Sequence, residues 1–273
     1  MTALSVPVDE EERPAEFVEA LARGLAVLEC FDGTHLEMTL SEVAQRVGTS
    51  PAAARRSLIT LATLGYVGQS GKRFHLTPKV MSLGSAFYFS ARMDEILLPE
   101  LRHVVEAFGD ASSVATLDGH DVIYVAHFSV QRARRASAVV GARYPAHATS
   151  LGRVLLAALP DPELDRYFET VRPVALTSQT VTNREELRRL VYKARELGYA
   201  TTVDQLDYGI TALAVPIRHG GETIAALNSS GYTGLVTADQ LVAERLPELR
   251  MAASRLAEAT ARFPVLASVL KRR

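Results

Sequence analysis

The sequence predicts an α+β chain of two domains: a small N-terminal one of three helices closed by a β-hairpin, and a larger C-terminal one mixing strands and helices. Three observations carry this. The chain has 273 residues, 48% of them hydrophobic, enough apolar surface for two packed cores. From Pro14 to Leu76, apolar residues recur at helical spacing in three stretches and then give way to two short β-prone runs. From Asp94 onward, segments of strand and helix character alternate. The expected divisions are a leader over 1–15, the first domain over 16–78, a linker helix over 79–93, the second domain over 94–263 and a tail over 264–273.

The leader is acidic at Asp9, Glu10, Glu11 and Glu12, carries two prolines and lacks apolar periodicity, so disorder is expected. It has neither the basic start nor the apolar stretch of a signal peptide, and no run of about 18 apolar residues follows, so no membrane is expected and the cytoplasm is the expected location. In the first helix, Phe17, Leu21, Leu25, Leu28 and Phe31 form a stripe that ends at Asp32-Gly33. Cys30, the single cysteine, lies beside Leu28 and Phe31, where a buried thiol is expected. Thr39 can cap a second helix whose Leu40, Val43, Ala44 and Val47 share one face and which Gly48 ends. Ser50 then caps a third, with Pro51 at its first position and Gly65 at its end. Two helices joined by a short glycine-containing turn have helix-turn-helix spacing. Tyr66-Val67 and Phe74-His75-Leu76, separated by the polar turn 68–73, add a hairpin wing.

On a helical wheel, Ala54, Leu58 and Leu61 share one face of the third helix, Ala52, Ala53 and Arg56 look away, and Arg55 and Thr60 lie on the edges. An apolar back, small residues at the start and an arginine that reaches base edges or phosphates make a recognition helix. A solvated face carrying two arginines would look the same in isolation, and the hairpin decides between them: its tip places Lys72 and Arg73 beside a phosphate backbone. Charge agrees. The whole chain carries a formal net charge of −1, but between Glu37 and Lys79 six basic residues face two acidic ones, giving +4. The candidate contacts to double-stranded DNA are Ser50, Ala52, Ala53, Arg55, Arg56, Thr60, Lys72 and Arg73. One winged helix covers little DNA, so a homodimer or homotetramer is expected, with Phe87, Tyr88 and Phe89 as a pairing stripe or a packed hinge.

The second domain opens with a helix from Asp94 to Phe108, then strands SSVATL and DVIYVAHF about the turn Asp118-Gly119-His120. A strand is expected around Arg135 to Val140, helices over 150–159, 162–169 and 184–197, strands over 199–203, 210–218 and 223–229, and a long helix from Thr237 to about Arg262. The motifs HExxH, GxGxxG, GxxxxGK[ST] and GxSxG do not occur, and His103, His120, His127, His147 and His219 are scattered over different elements, so no enzyme and no cofactor are expected.

ALARGLAVLECF and LSEVAQRVGTSPAAARRSLITLATLGYV resemble the DNA-binding helices and wing entry of the IclR family of transcriptional regulators. PAHATSLGRVLLAAL, GYATTVDQLDYGITALAVPI and AALNSS resemble that family's effector-domain signatures, so the similarity runs from Phe17 to Phe263. The resemblance implies a winged helix-turn-helix joined by a linker helix to a GAF-like α/β domain with an antiparallel sheet that binds a small effector. Arg55-Arg56 and TSLGR resemble the branch that controls catabolism of aromatic compounds through protocatechuate, 4-hydroxybenzoate and β-ketoadipate. Its implied effector is an aromatic or β-keto acid. Glyoxylate- and allantoin-pathway members carry glycine and alanine where this chain has Ser150 and Leu151, an acid at Thr202, a cysteine at Ala212, and serines at Asn228 and Ser230, which argues against glyoxylate itself. Tyr144 and Ala136 are candidate neighbouring walls and His147 a positioning residue. The start of the helix at Ser150 suits a carboxylate, with Arg134, Arg135 and Arg153 nearby as ligand contacts or solvated charges. The alternative is a C-terminal domain that serves only oligomerisation or protein contact.

Overall fold

The computed structural model describes residues 14–90, 92–130 and 138–270, and the chain divides between Phe87 and Tyr88 into two compact units. Most of the expected leader, together with Arg134, Arg135 and Ala136, lies outside the described residues.

The first unit holds α1 (Glu19–Glu29), β1 (Met38–Thr39), α2 (Leu40–Val47), α3 (Pro51–Thr63), β2 (Val67–Ser70) and β3 (Arg73–Leu76). Local chemistry sets these boundaries. Thr39 and Glu42 form a reciprocal capping box at the start of α2, and Gly48, at φ 70°, ends it in the left-handed conformation that glycine tolerates best. Ser50 caps α3 and Pro51 occupies its first position. The hairpin strands run further than the sequence suggests: Ser70 pairs with Arg73 across a two-residue turn, made possible by Gly71 at φ 60°. β1, too short to show alternation, adds a third strand beside β3. The core is Val27, Cys30, Met38, Val43, Leu58 and Val67. The expected stripe on α1 is only partly buried. Phe31 is covered, whereas Leu21 and Leu25 stay 62% and 48% exposed, because the core reaches only the C-terminal end of α1.

α4 (Met81–Ser90) follows a single 3-10 turn at 78–80 and crosses the division between the units. The second unit continues with α5 (Met93–Phe108), β4 (Ala111–Asp118), β5 (Asp121–Ser129), β6 (Arg143–Pro145), α6 (Ser150–Ala157), α7 (Asp161–Thr170), α8 (Arg184–Leu197), β7 (Ala200–Val203), β8 (Ile210–His219), β9 (Glu222–Tyr232), α9 (Ala238–Arg262) and α10 (Pro264–Leu270). The strands form one antiparallel sheet in the order β6-β5-β4-β9-β8-β7. One face packs Val114, Leu213, Val215 and Leu227 against Leu97 and Leu101 of α5 and Leu249 and Leu256 of α9. The other packs Ala115, Ala214 and Ala226 against Leu151 and Leu155 of α6, Leu164 of α7 and Leu187 of α8.

Two expectations need correction. Residues 138–142 lead into a turn at Val140-Gly141 rather than a strand, and the edge strand is Arg143–Pro145, where Pro145 is tolerated because an edge strand leaves backbone groups unpaired. The expected tail contains α10, whose Leu266 and Leu270 are buried in the core beside α9. Among the described residues no helix is long and apolar enough to cross a membrane.

Candidate functional site

The outward face of α3 presents Ala52, Arg55, Arg56 and Thr60 to solvent. The Ser50 hydroxyl accepts from the Ala53 backbone N–H at 3.2 Å, so the cap holds the helix start in shape. Ala53 itself corrects the wheel: it is 6% exposed, because the buried arc of Ala54, Leu58 and Leu61 widens to include it, and it has little side-chain surface to offer DNA. The Thr60 hydroxyl donates to the Arg56 carbonyl at 3.0 Å. On the wing, Lys72 is exposed at the tip, while Arg73 donates to the Glu37 carbonyl at 3.1 Å and lies 3.7 Å from Glu42. Two more of the six basic residues are tied within the unit and turned from the wing. Arg46 donates to the Cys30 carbonyl at 2.8 Å and pairs with Asp32. The Lys79 ammonium donates to the Leu64 carbonyl at 2.7 Å, 4.9 Å from the centre of the Tyr66 ring. Arg55, Arg56, Lys72 and Arg73 therefore carry the positive face.

In the second unit, strand register builds a cavity of about 450 Å3. Residues directly opposite in a sheet point to the same side. Ala111 pairs with Ser230, Ser230 with Ala212, and Ala212 with Thr202, so one row of small side chains crosses four strands. In the next row Ser113 pairs with Asn228. Those side chains are too short to reach what lies above them, and the space between is the cavity. Tyr124 and Tyr144, edge to face with ring centres 5.0 Å apart, form one wall, and Leu176, Leu206 and Ile210 line it elsewhere. The Asn228 side-chain oxygen accepts from the Ser113 backbone N–H at 2.7 Å, which leaves its NH2 group to donate. Ser113 Oγ and His127 Nδ1 are 2.9 Å apart.

The start of α6 closes one side. Thr149 caps it by accepting from the Gly152 backbone N–H at 2.9 Å, and Gly152 is obligatory because a Cβ there would lie 2.2 Å from the Ala146 carbonyl oxygen. The backbone N–H groups of Ser150 and Leu151 fall outside the intrahelical ladder. Ser150 lines the cavity, is 1% exposed, and its hydroxyl has no partner among the described residues. A buried hydroxyl at the positive end of a helix is a chemistry that suits an oxygen anion.

Of the effector contacts expected from sequence, Tyr144, Ser150, Thr202, Ala212, Asn228 and Ser230 converge on the cavity. Leu151 and His147 do not. Successive helical residues point about 100° apart, so with Ser150 facing the cavity Leu151 turns into the core, fully buried. His147 Nε2 meets the Val174 carbonyl at 3.1 Å, and burial holds its pKa below the usual imidazole value. Arg153, three residues after Ser150, is 3% exposed and donates to the Thr201 carbonyl and the Gln205 side-chain oxygen, outside the cavity lining. Sequence reasoning missed Asp110, Ser113, Tyr124, His127, Leu206 and Asp207. Alternation along β4 and β5 was the available signal for three of them, since Ser113, Tyr124 and His127 are polar-tipped residues inside otherwise apolar strands.

A helix-turn-helix unit with a basic face, linked to a domain enclosing a small-molecule cavity, defines a ligand-responsive transcriptional regulator rather than an enzyme. The chain belongs to the IclR family: residues 20–71 match the IclR helix-turn-helix domain and residues 90–258 the bacterial transcriptional regulator IclR C-terminal domain. It is 37% identical to the Pca regulon regulatory protein of Pseudomonas putida over 88% of this chain and 83% of that one. It is 34% identical to the p-hydroxybenzoate hydroxylase transcriptional activator of Acinetobacter baylyi over 90% of this chain and 93% of that one. An IclR homologue from Microbacterium hydrocarbonoxydans, solved in complex with 4-hydroxybenzoate, superposes with a TM-score of 0.67 at 26% identity, covering 91% of this chain and 99% of that one.

Proposed function

We propose that this chain controls genes for aromatic-acid catabolism as a homo-oligomer that binds operator DNA through α3 and the wing and binds a single-ring hydroxylated aromatic acid in the cavity of its second unit. The observation that carries this is the cavity itself, with apolar and tyrosine walls for a ring, a helix start and an unpartnered Ser150 hydroxyl for a carboxylate, and Asn228, Thr202 and Ser230 for further polar atoms. A domain serving only oligomerisation has no use for such an interior. The relatives named for the Pca regulon and for p-hydroxybenzoate hydroxylase, and the neighbour holding 4-hydroxybenzoate, support the same ligand class.

No covalent step is involved. The effector shifts the balance between arrangements of paired DNA-binding units by as much as its affinities for those arrangements differ. The test is calorimetry against protocatechuate, 4-hydroxybenzoate and β-ketoadipate, with Ala212→Leu as the control that fills the row of small side chains. At least one aromatic acid binds the wild type, and Ala212→Leu binds it about tenfold more weakly or worse while its operator affinity without effector is unchanged. Binding of β-ketoadipate alone overturns the aromatic assignment, and undiminished binding by Ala212→Leu overturns the site.

A further inference from the structure

We infer that Arg153 supplies the positive potential that selects an anionic effector, acting from behind the cavity wall without touching the ligand. This rests on the effector reading of the cavity and deepens it by assigning the source of its charge preference.

Arg153 is 3% exposed, yet both of its hydrogen-bond partners are neutral: the Thr201 carbonyl at 3.3 Å and the side-chain oxygen of Gln205. Its Nε finds no acceptor among the described residues. A guanidinium taken out of water with only neutral hydrogen-bond partners is costly: burial pulls its pKa down to about 10 against the opposing pull of the Glu186 carboxylate, and it still remains protonated at neutral pH. Proteins avoid such groups unless something compensates them.

Glu186 offsets this cost only through space, since its carboxylate is hydrogen-bonded to Arg189, and the surroundings of Arg153 point to the cavity as the further source. Ser150 and Arg153 are three residues apart on α6, hence on one side of the helix, and Ser150 lines the cavity. The two groups that Arg153 holds each adjoin a lining residue, Thr201 beside Thr202 and Gln205 beside Leu206. The guanidinium is thus held by residues that directly adjoin the lining on the α6 side of the cavity. Asp110 and Asp207 also line the cavity; Arg245 offsets the first, and on the α6 side Arg153 is the cation positioned to favour a carboxylate. The loop that Gln205 belongs to is held in place independently, by the Thr177 hydroxyl donating to the Asp204 carbonyl at 2.5 Å and the Thr180 hydroxyl to the Gln205 carbonyl at 2.7 Å. Removing the charge therefore leaves the wall standing.

The experiment measures binding of 4-hydroxybenzoate and protocatechuate, each beside its uncharged carboxamide, to the wild type, Arg153→Met and Arg153→Lys at about pH 6.5 and again at about pH 5.5, because burial lowers a lysine's pKa and the lower pH restores its charge. The wild type prefers acid over amide. Arg153→Met loses roughly tenfold or more of acid affinity and little amide affinity, and Arg153→Lys restores most of the preference. Equal losses for acid and amide, or failure of lysine to restore the preference, make Arg153 a structural tie between α6 and β7 and overturn the assignment. Acid binding that survives intact in Arg153→Met overturns it as well and leaves the effector reading untouched. Absence of any acid or amide binding to the wild type removes both. Should Arg153→Met fail to fold, the comparison of wild type with Arg153→Lys decides: retained preference supports the charge, and lost preference overturns it.

Discussion

At the scale of single residues, Asn228 has two duties that pull apart under substitution. Its oxygen satisfies the Ser113 backbone N–H within the sheet, and its NH2 group remains for the cavity. Asn228→Leu leaves that buried N–H without its acceptor, at a cost of about 1–3 kcal/mol of stability, so weakened ligand binding by that variant cannot be read cleanly. Asn228→Asp is the sharper probe. It keeps an oxygen for Ser113, removes the donor, and places a negative charge against an incoming carboxylate. Calorimetry on Asn228→Asp should show at least tenfold weaker binding of 4-hydroxybenzoate and, because the new carboxylate is buried, a melting temperature below the wild type's. Unchanged affinity would mean that Asn228 serves the sheet alone.

At the scale of elements, we propose that α3 and the hairpin divide the work on DNA. Arg56 is exposed on the outer face of α3 and Lys72 at the wing tip, and we propose that the first reaches base edges and the second only the phosphate backbone. Arg56→Ala is therefore expected to lose roughly 1–3 kcal/mol on the cognate operator and far less on random DNA, and Lys72→Ala to weaken both alike. Mobility-shift titrations on the two DNAs distinguish the cases, and equal losses for Arg56→Ala would demote it to a phosphate contact. The helices carrying this division were legible because their signals are local: the Thr39–Glu42 box, Gly48, Ser50 and Pro51 all act within a few residues. The cavity was legible only in part. Ser150 sits at a helix start that sequence marks, but the partnership of Ser113 with Asn228 joins residues 115 apart, and only strand register brings them together. β1 and α10 escaped for a similar reason, since two residues show no period and Leu266 and Leu270 owe their burial to a distant sheet.

At the scale of the whole molecule, each unit leaves apolar surface uncovered. Leu21 and Leu25 on α1 are 62% and 48% exposed, and on α4 Met81 is 76% and Phe89 71% exposed. These side chains are candidate contacts between copies, and we propose a second copy of the chain as their occupant, as reading two half-sites calls for. Sedimentation is expected to show a dimer or larger, and the double substitution of Leu21 and Leu25 by glutamate to shift it toward monomer, with operator affinity falling by at least tenfold. A wild-type monomer that binds a half-site tightly would sink this assembly.

The row Ala111–Ser230–Ala212–Thr202 has a consequence for descent as well as for binding. The rungs of the sheet are drawn by backbone atoms, which are indifferent to the side chains standing on them. A methyl exchanged for a hydroxyl, or an alanine for a valine, redraws the outline of the chamber while every rung stays paired. Taste for a new acid can drift in by single steps along four neighbouring strands, and the machinery that grips DNA is never asked to change with it.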